Sequence, residues 1–499
     1  MQEKAMRKLK YFFIFLFCVC LASNAEAKKK HHKHARKHRH CARGAVYDPL
    51  KGLTGPLGLQ RVVEEMNRHA VSGVLVESLQ TGQILYENAA NQLFMPASNM
   101  KVITSFAALK FLGMEYVYHT RLMTENTATI SQGVLNGNLY LEYEGDPSLK
   151  LSDLNALFRD LAEQGVHVIR GKFFVDTSRF VSERVSPGTE LTDQQYCYAA
   201  PITTDILNRN CISFRILPSK IGSFARVQGP YDIPSPLENE VVTKGNRHCH
   251  VGFETLLDGN YILTGCVHPH SKKGVDLTVP LPPESHFGRD AAVTLLGRYG
   301  IQVKNEDIVS SDGMLQALAV HRSEPLSKLV FDMMKHSDNV IADALFKTVG
   351  ALYYHRPASW KSSSDAVREI LKQNSINTEG MQIRDGSGLS RENLVTPSQL
   401  LSVLVAAYRD PVISSLYVEA LPASGLNGTL RRRLGTRDII GKVKAKTGTM
   451  QGISSLSGFV EGHSGEMVVF SIIVNDFTGG LYAYHYLQDK LCQVVRASY

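Results

Sequence analysis

The sequence predicts an α/β (α+β) chain whose main sheet is assembled from both of its ends, with a mainly-β insertion between them. Three observations lead there. Strand patterns lie near the start, Val74 to Ser78 and Gln83 to Glu87, and recur near the end, Leu456 to Val460 and Met467 to Val474. An apolar helix pattern begins beside Ser98. The stretch from about Glu115 to Asn305 is rich in strand and turn signals. With 499 residues, 43% of them hydrophobic, the chain can bury several cores, and its length suits about three domains.

The elements follow in order. Lys4, Arg7, Lys8 and Lys10 precede the apolar run Tyr11 to Ala22 and the string Ala25-Glu26-Ala27, the pattern of a signal peptide cleaved after Ala27. Twelve apolar residues are too few to span a bilayer, and a retained anchor is the alternative. Residues 28–43 form a basic tail with eight Lys or Arg, no acid and five histidines: His31, His32, His34, His38 and His40. The net charge of +8 therefore belongs to the first 43 residues, and 44–499 is close to neutral. Such a block suits an anionic envelope surface or, through its histidines, a transition metal; a merely solvated tail is the plain alternative. Export and the lack of interleaved aromatics argue against nucleic acid as a partner.

An amphipathic helix is expected at Gly58 to Arg68, a hairpin turning at Thr81-Gly82, and a buried helix from Ser98 through Val102, Ile103, Phe106, Ala107 and Leu109 to Gly113. Asn138 to Tyr143 and Val166 to Asp176 read as strands of the insertion. Helices at Pro325 to Lys335 and Val340 to Ala351, a strand at Lys442 to Thr447, two strands turning at His463-Ser464-Gly465, and a helix near Ala483 to Val495 complete the chain. The expected organisation is 1–27 signal peptide, 28–43 tail, 44–114 with 306–499 as the catalytic domain, and 115–305 inserted, with a third unit nested at about 213–283.

Three strings carry the chemistry: Ser98-Asn99-Met100-Lys101, Ser337-Asp338-Asn339 and Lys446-Thr447-Gly448-Thr449. Chance alone supplies about two or three matches to the first pattern, about one to the second and about a tenth of the third, so only the ordered set is informative. Ser98 opens a helix, and a spacing of three puts the Lys101 amine one turn away, within reach of the hydroxyl. Ser337 sits between two helical patterns and can relay a proton; Asn339 can hold a substrate amide and the lysine amine. A plain helix cap by Ser337 is the alternative. The third string ends a strand at a glycine, where a substrate backbone can lie close beside it; Lys446 offers a positive charge and Thr447 a hydroxyl to a carboxylate.

The ordered set resembles the penicillin-interacting serine acyl-enzymes, whose nucleophile is activated by an amine rather than a histidine. The gap between the first two strings is more than twice that between the last two, enough for one or two inserted domains. With Gly145-Asp146-Pro147-Ser148-Leu149, Asp385-Gly386-Ser387-Gly388-Leu389-Ser390-Arg391 and Gly428-Thr429-Leu430 as further matches, the chain from about Tyr47 onward resembles the class C low-molecular-mass penicillin-binding proteins. That resemblance implies a serine β-lactamase/transpeptidase-like catalytic domain and D-alanyl-D-alanine carboxypeptidase and endopeptidase activity on peptidoglycan stem peptides in the periplasm. It also implies β-lactam antibiotics as inhibitors. In that reading Ser98 attacks, Lys101 takes the proton, Ser337 returns it to the leaving amine, and the N–H groups of Ser98 and Thr449 hold the oxyanion. No cofactor or metal is implied. The resemblance further places a specificity subsite at Asp193, Tyr198, Arg391 and Gln451, where Asp193 takes an ammonium and Arg391 a carboxylate of one zwitterionic side chain. Tyr198 stands where the close relative has phenylalanine, and its hydroxyl needs a partner.

Six cysteines outlast signal cleavage. Nearness and the family pattern pair Cys197 with Cys211 and Cys249 with Cys266, leaving Cys41 and Cys492 to join the ends. A zinc site using His248, His250, His268 and His270 with Cys249 and Cys266 is the alternative. Two other functions compete: a β-lactamase or esterase on the same scaffold, and a non-catalytic envelope-binding protein.

Overall fold

In the computed structural model, Gly55–Met66 forms helix α1, which leads into the antiparallel strands β1 (Val71–Ser78) and β2 (Ile84–Asn88). The model describes residues 50–229, 237–245, 248–255, 261–271, 273–282, 285–308 and 313–499. The expected signal peptide, the basic tail and Cys41 lie outside them.

The hairpin turns at Gly82, whose φ of 72° is cheap only for glycine. A short 3₁₀ turn, Ala97–Asn99, then feeds α2 (Met100–Leu112), which ends at Gly113 with φ 82°. Every residue of α2 from Met100 to Leu109 is buried, so this helix is the axle of the largest core rather than an amphipathic cover. After the insertion come α3 (Leu326–His336) and α4 (Asn339–Tyr354). The strands β3 (Val443–Met450), β4 (Ile453–Glu461) and β5 (Met467–Asn475) follow, and α5 (Leu481–Ser498) closes the chain.

The five strands form one sheet in the order β3-β4-β5-β1-β2, with Val71 opposite Asn475 and Ser78 opposite Val468. The sheet is thus built from both ends of the chain. Strands β4 and β5 are apolar or small along nearly their whole length because helices cover both faces: α2 and Pro397–Arg409 on one, α1 and α5 on the other. β3 is an edge strand. Its outer side meets Ala423 at Lys444, and no described strand pairs with it beyond that point.

Between α2 and α3 the chain makes four smaller sheets. Leu315–Arg322, His119–Glu125, Leu139–Tyr143 and Phe173–Asp176 form one sheet in that order, so this sheet continues past residue 305 almost to α3. The single strand expected over Val166 to Asp176 is two, Val168–Ile169 and Phe173–Asp176, in different sheets. The break falls at Gly171, where a Cβ would meet the Gly137 carbonyl oxygen at 2.7 Å. Two helices, Leu151–Glu163 and Phe287–Arg298, pack inside this otherwise β-rich stretch. Cys211–Leu217 pairs with Val275–Pro280, bracketing a sheet centred on Tyr261–Val267.

Cys197 and Cys211 form a disulfide across 6.0 Å between Cα atoms, and Cys249 and Cys266 another across 5.0 Å. The second bond removes the thiolates that the zinc alternative required. Of the expected Cys41–Cys492 bond only Cys492 lies among the described residues; it carries a free thiol at 0% exposure in the core that holds Leu59, Leu456 and Leu491, and burial raises its pKa far above the usual thiol range. A cysteine this deep in the apolar core behaves as a small hydrophobe. Among the described residues no helix is long and apolar enough to cross a membrane.

Candidate active site

Ser98 sits in the 3₁₀ turn at the head of α2, and two contacts pin that turn to the sheet: Ser455 Oγ donates to the Pro96 carbonyl at 2.7 Å, and Asn99 Nδ2 to Ser457 Oγ at 3.0 Å. Gly448 completes the approach. A Cβ there would lie 2.2 Å from Ser455 Oγ and 3.0 Å from Ser98 N, so only glycine lets the edge strand come this near the serine.

Lys101 is fully buried one turn along α2. Its Nζ lies 3.0 Å from Ser98 Oγ, 2.6 Å from Asn339 Oδ1 and 2.6 Å from the Ser387 carbonyl oxygen. The Asn339 amide is oriented by its other end, because Nδ2 donates to the Tyr198 carbonyl at 2.9 Å and Oδ1 must then face the lysine. Desolvation lowers the Lys101 pKa below that of an exposed lysine, against the opposing pull of Asp343 and Asp385.

Ser337 ends α3 in the left-handed region, φ 59° and ψ 40°. The cap of α4 is Asp338, whose carboxylate accepts from the Ile341 N–H at 3.0 Å, so the reading of Ser337 as the helix cap does not hold. Ser337 Oγ instead accepts from Lys446 Nζ at 2.8 Å. Lys446 is fully buried and also donates to the Thr447 carbonyl at 2.7 Å; burial first, then Lys101, hold its pKa well below that of a free lysine. Thr447 Oγ1 donates to Thr429 Oγ1 at 2.7 Å, which draws the Gly428-Thr429-Leu430 string to the edge strand.

The residues expected to read the substrate fall into two pairs. Tyr198 OH donates to Asp193 Oδ1 at 2.8 Å, the partner that its hydroxyl required, and its ring stacks on Tyr196 with centroids 5.3 Å apart. Arg391 reaches the Gln451 backbone carbonyl at 3.3 Å, while its Nε lies 2.7 Å from a Glu190 carboxylate oxygen. The pairs are linked through the backbone: Arg391 N donates to the Gly188 carbonyl at 3.0 Å, and Tyr198 meets Asn339.

Three residues that the sequence reading did not single out belong to this neighbourhood: Glu190, Asp343 and Lys347. Asp343 lies four residues after Asn339 on α4 and accepts the N–H groups of Gly386 and Ser387, each at 2.8 Å. Lys347, another four on, is buried between the Phe180 and Trp360 rings at 5.1 and 5.0 Å and donates to the Glu183 carbonyl at 2.9 Å. Their spacing of four was the available signal.

A serine and a buried amine at a helix start, set against the edge strand of a sheet built from both chain ends, define a transpeptidase-like serine enzyme. The comparisons specify the family. Residues 58–490 match the model of the D-Ala-D-Ala carboxypeptidase 3 (S13) family. The chain is 30% identical over 417 residues to the D-alanyl-D-alanine carboxypeptidase DacB of Haemophilus influenzae, covering 82% of this chain and 86% of that one. It is 32% identical to a D-alanyl-D-alanine carboxypeptidase of Actinomadura sp., over 82% and 78% of the two chains. The crystal structure of penicillin-binding protein 4 from Haemophilus influenzae aligns with a TM-score of 0.75 at 29% identity, across 87% of this chain and 97% of that one. The chain belongs to the D-Ala-D-Ala carboxypeptidase 3 (S13) family, and its function is that of a serine-type D-alanyl-D-alanine carboxypeptidase, a penicillin-binding protein acting on the cell wall.

Proposed function

We propose that Ser98 is the nucleophile of this carboxypeptidase, attacking the carbonyl between two terminal D-alanines to form an acyl-enzyme that water then cleaves. The observation that carries the reading is the contact set of Lys101. A neutral amine has two N–H groups and one lone pair; Asn339 Oδ1 and the Ser387 carbonyl can only accept, so they take both N–H groups and leave the lone pair to the Ser98 hydroxyl. Lys101 is therefore oriented as a general base, and its burial favours the neutral form this requires.

Ser337, backed by Lys446, is placed to pass a proton to the leaving amine. Because Lys446 lies behind Ser337, its amine supports that relay, and Thr447 and Thr429 offer hydroxyls to the terminal carboxylate. The Ser98 and Thr449 N–H groups serve as the oxyanion hole, as in the family. We extend the reading to endopeptidase cleavage of crosslinked stem peptides and to inhibition by β-lactams. The Haemophilus influenzae protein has been crystallised with a β-lactam, with a TM-score of 0.70 to this chain at 28% identity. Residues 1–27 would deliver the enzyme to the periplasm, and 28–43 would hold it on anionic envelope material. In the subsite, Asp193 takes the ammonium and Arg391 the carboxylate of a zwitterionic side chain, which must displace Glu190 from Arg391. The segment between α2 and α3 acts as the inserted substrate-reading unit, with about 213–283 nested in it.

Intact mass after brief exposure to benzylpenicillin tests the nucleophile. Wild-type enzyme should gain one penicilloyl group and Ser98→Ala none, while keeping its fold, since the Ser98 hydroxyl caps neither the 3₁₀ turn nor α2. Full labelling of Ser98→Ala would refute the assignment.

A further inference from the structure

The Ser387 carbonyl is as close to the Lys101 amine as Asn339 is, yet it belongs to a loop distant in sequence. Something must hold that loop in place. Gly386 packs against α4 so tightly that a Cβ would lie 2.6 Å from the Ala342 carbonyl oxygen. Two buried carboxylates take the loop's N–H groups: Asp343 those of Gly386 and Ser387, and Asp385 those of Gly388 and Ser390 at 2.8 and 2.6 Å. Thr104 of α2 donates to the Gly386 carbonyl at 2.7 Å from the other side. Asp385 lies within the loop, whereas Asp343 comes from the helix that also carries Asn339. One rigid element therefore places both acceptors of the amine, one by its own side chain and the other through Asp343.

We propose that Asp343 is a positioning residue for acylation: it fixes the Ser387 carbonyl so that both N–H groups of the Lys101 amine are engaged and the lone pair is left aimed at Ser98. This rests on Ser98 and Lys101 being the nucleophile and its base. The titratable groups facing Lys101 are Asp343 on α4, Asp385 on the loop and Lys446 on β3. Burial, and after it the neighbouring Asp385, raise the Asp343 pKa far above the usual carboxylate range, so Asp343 acts through the placement of its oxygen rather than through a fixed charge.

The test compares Asp343→Ala and Asp343→Asn in acylation by a chromogenic cephalosporin, with each rate normalised to the fraction of enzyme that becomes labelled. Asp343→Ala should lose about 100-fold in the acylation rate at saturation, with the half-saturating concentration little changed, as misplacement of a reacting group does. Asp343→Asn retains an oxygen for the two N–H groups, so it should keep most of the rate. A purely structural role would reduce the labelled fraction and leave the normalised rate at the wild-type value. That result would overturn the proposal, as would equal loss in both variants. Ser98→Ala run in parallel separates the two levels: labelling there faults the nucleophile, whereas a silent Ser98→Ala beside a fast Asp343→Ala faults Asp343 alone.

Discussion

Glu190 and Arg391 lie side by side, and in the subsite we propose this second carboxylate would change what can be admitted. An incoming side-chain carboxylate must compete with Glu190 for one guanidinium, while Asp193 already accepts from Tyr198. Glu190→Gln should therefore raise kcat/KM about fivefold for stem peptides with a free side-chain carboxylate, the worth of roughly 1 kcal/mol for a half-exposed ion pair. Amidated peptides should gain nothing. Rates on both peptide classes check this, and an unchanged ratio would remove Glu190 from specificity. Glu190 carries no local signature, because its contact joins chain segments about 200 residues apart. Ser98, Lys101 and Asn339 were legible in the sequence, since their short spacings place them on helices whose apolar pattern is itself readable. Asp343 and Lys347 read as ordinary polar residues on a helix, and only tertiary packing reveals the loop carbonyls and N–H groups they hold.

At the level of the element, the edge strand and the head of α2 are fitted to each other through a glycine. Gly448→Ala would force its Cβ against Ser455, the Pro96 carbonyl at 2.8 Å and the Ser98 backbone, in a region held by hydrogen bonds on both sides. We expect about 1–3 kcal/mol of lost stability, typical of overpacking. Acylation should also slow by about 100-fold as Ser98 is displaced from Lys101 and Ser337. Denaturant unfolding and single-turnover acylation measure the two effects; a normal acylation rate would mean the strand yields without disturbing the serine. The hairpin and the two late strands were readable because short runs rich in apolar and β-branched residues end at turns. The break at Gly171 was not, because it follows from how closely another loop passes, which periodicity does not record.

Across the whole molecule, Lys347 is an ammonium site enclosed by aromatic rings in the main core, and burial pushes its pKa down to about 8. The folded chain then releases this proton at lower pH than the unfolded chain does. Its contribution to stability is smallest at and below pH 8, grows as pH rises and is complete near pH 10.5, the ordinary lysine value. Lys347→Met should remove up to about 3 kcal/mol of that rise and leave stability at neutral pH equal or higher. Urea unfolding of both proteins at several pH values between 8 and 10.5 tests this; identical slopes would mean that Lys347 deprotonates no earlier than an exposed lysine.

The sheet has a temporal consequence. β1 pairs with β5 from Val71–Asn475 to Ser78–Val468, and the Gly55 N–H donates to Ser498 at the far end of the chain at 2.6 Å. A chain that enters its compartment amino end first presents Ser98 and Lys101 early, but with no floor beneath them. The strands that would seat the serine, and the lysine behind Ser337, are the last to arrive, and pairings this distant in sequence form late. A chain still in transit is thus expected to be unarmed against wall peptides and indifferent to penicillin, gaining both properties at once when its final strands dock.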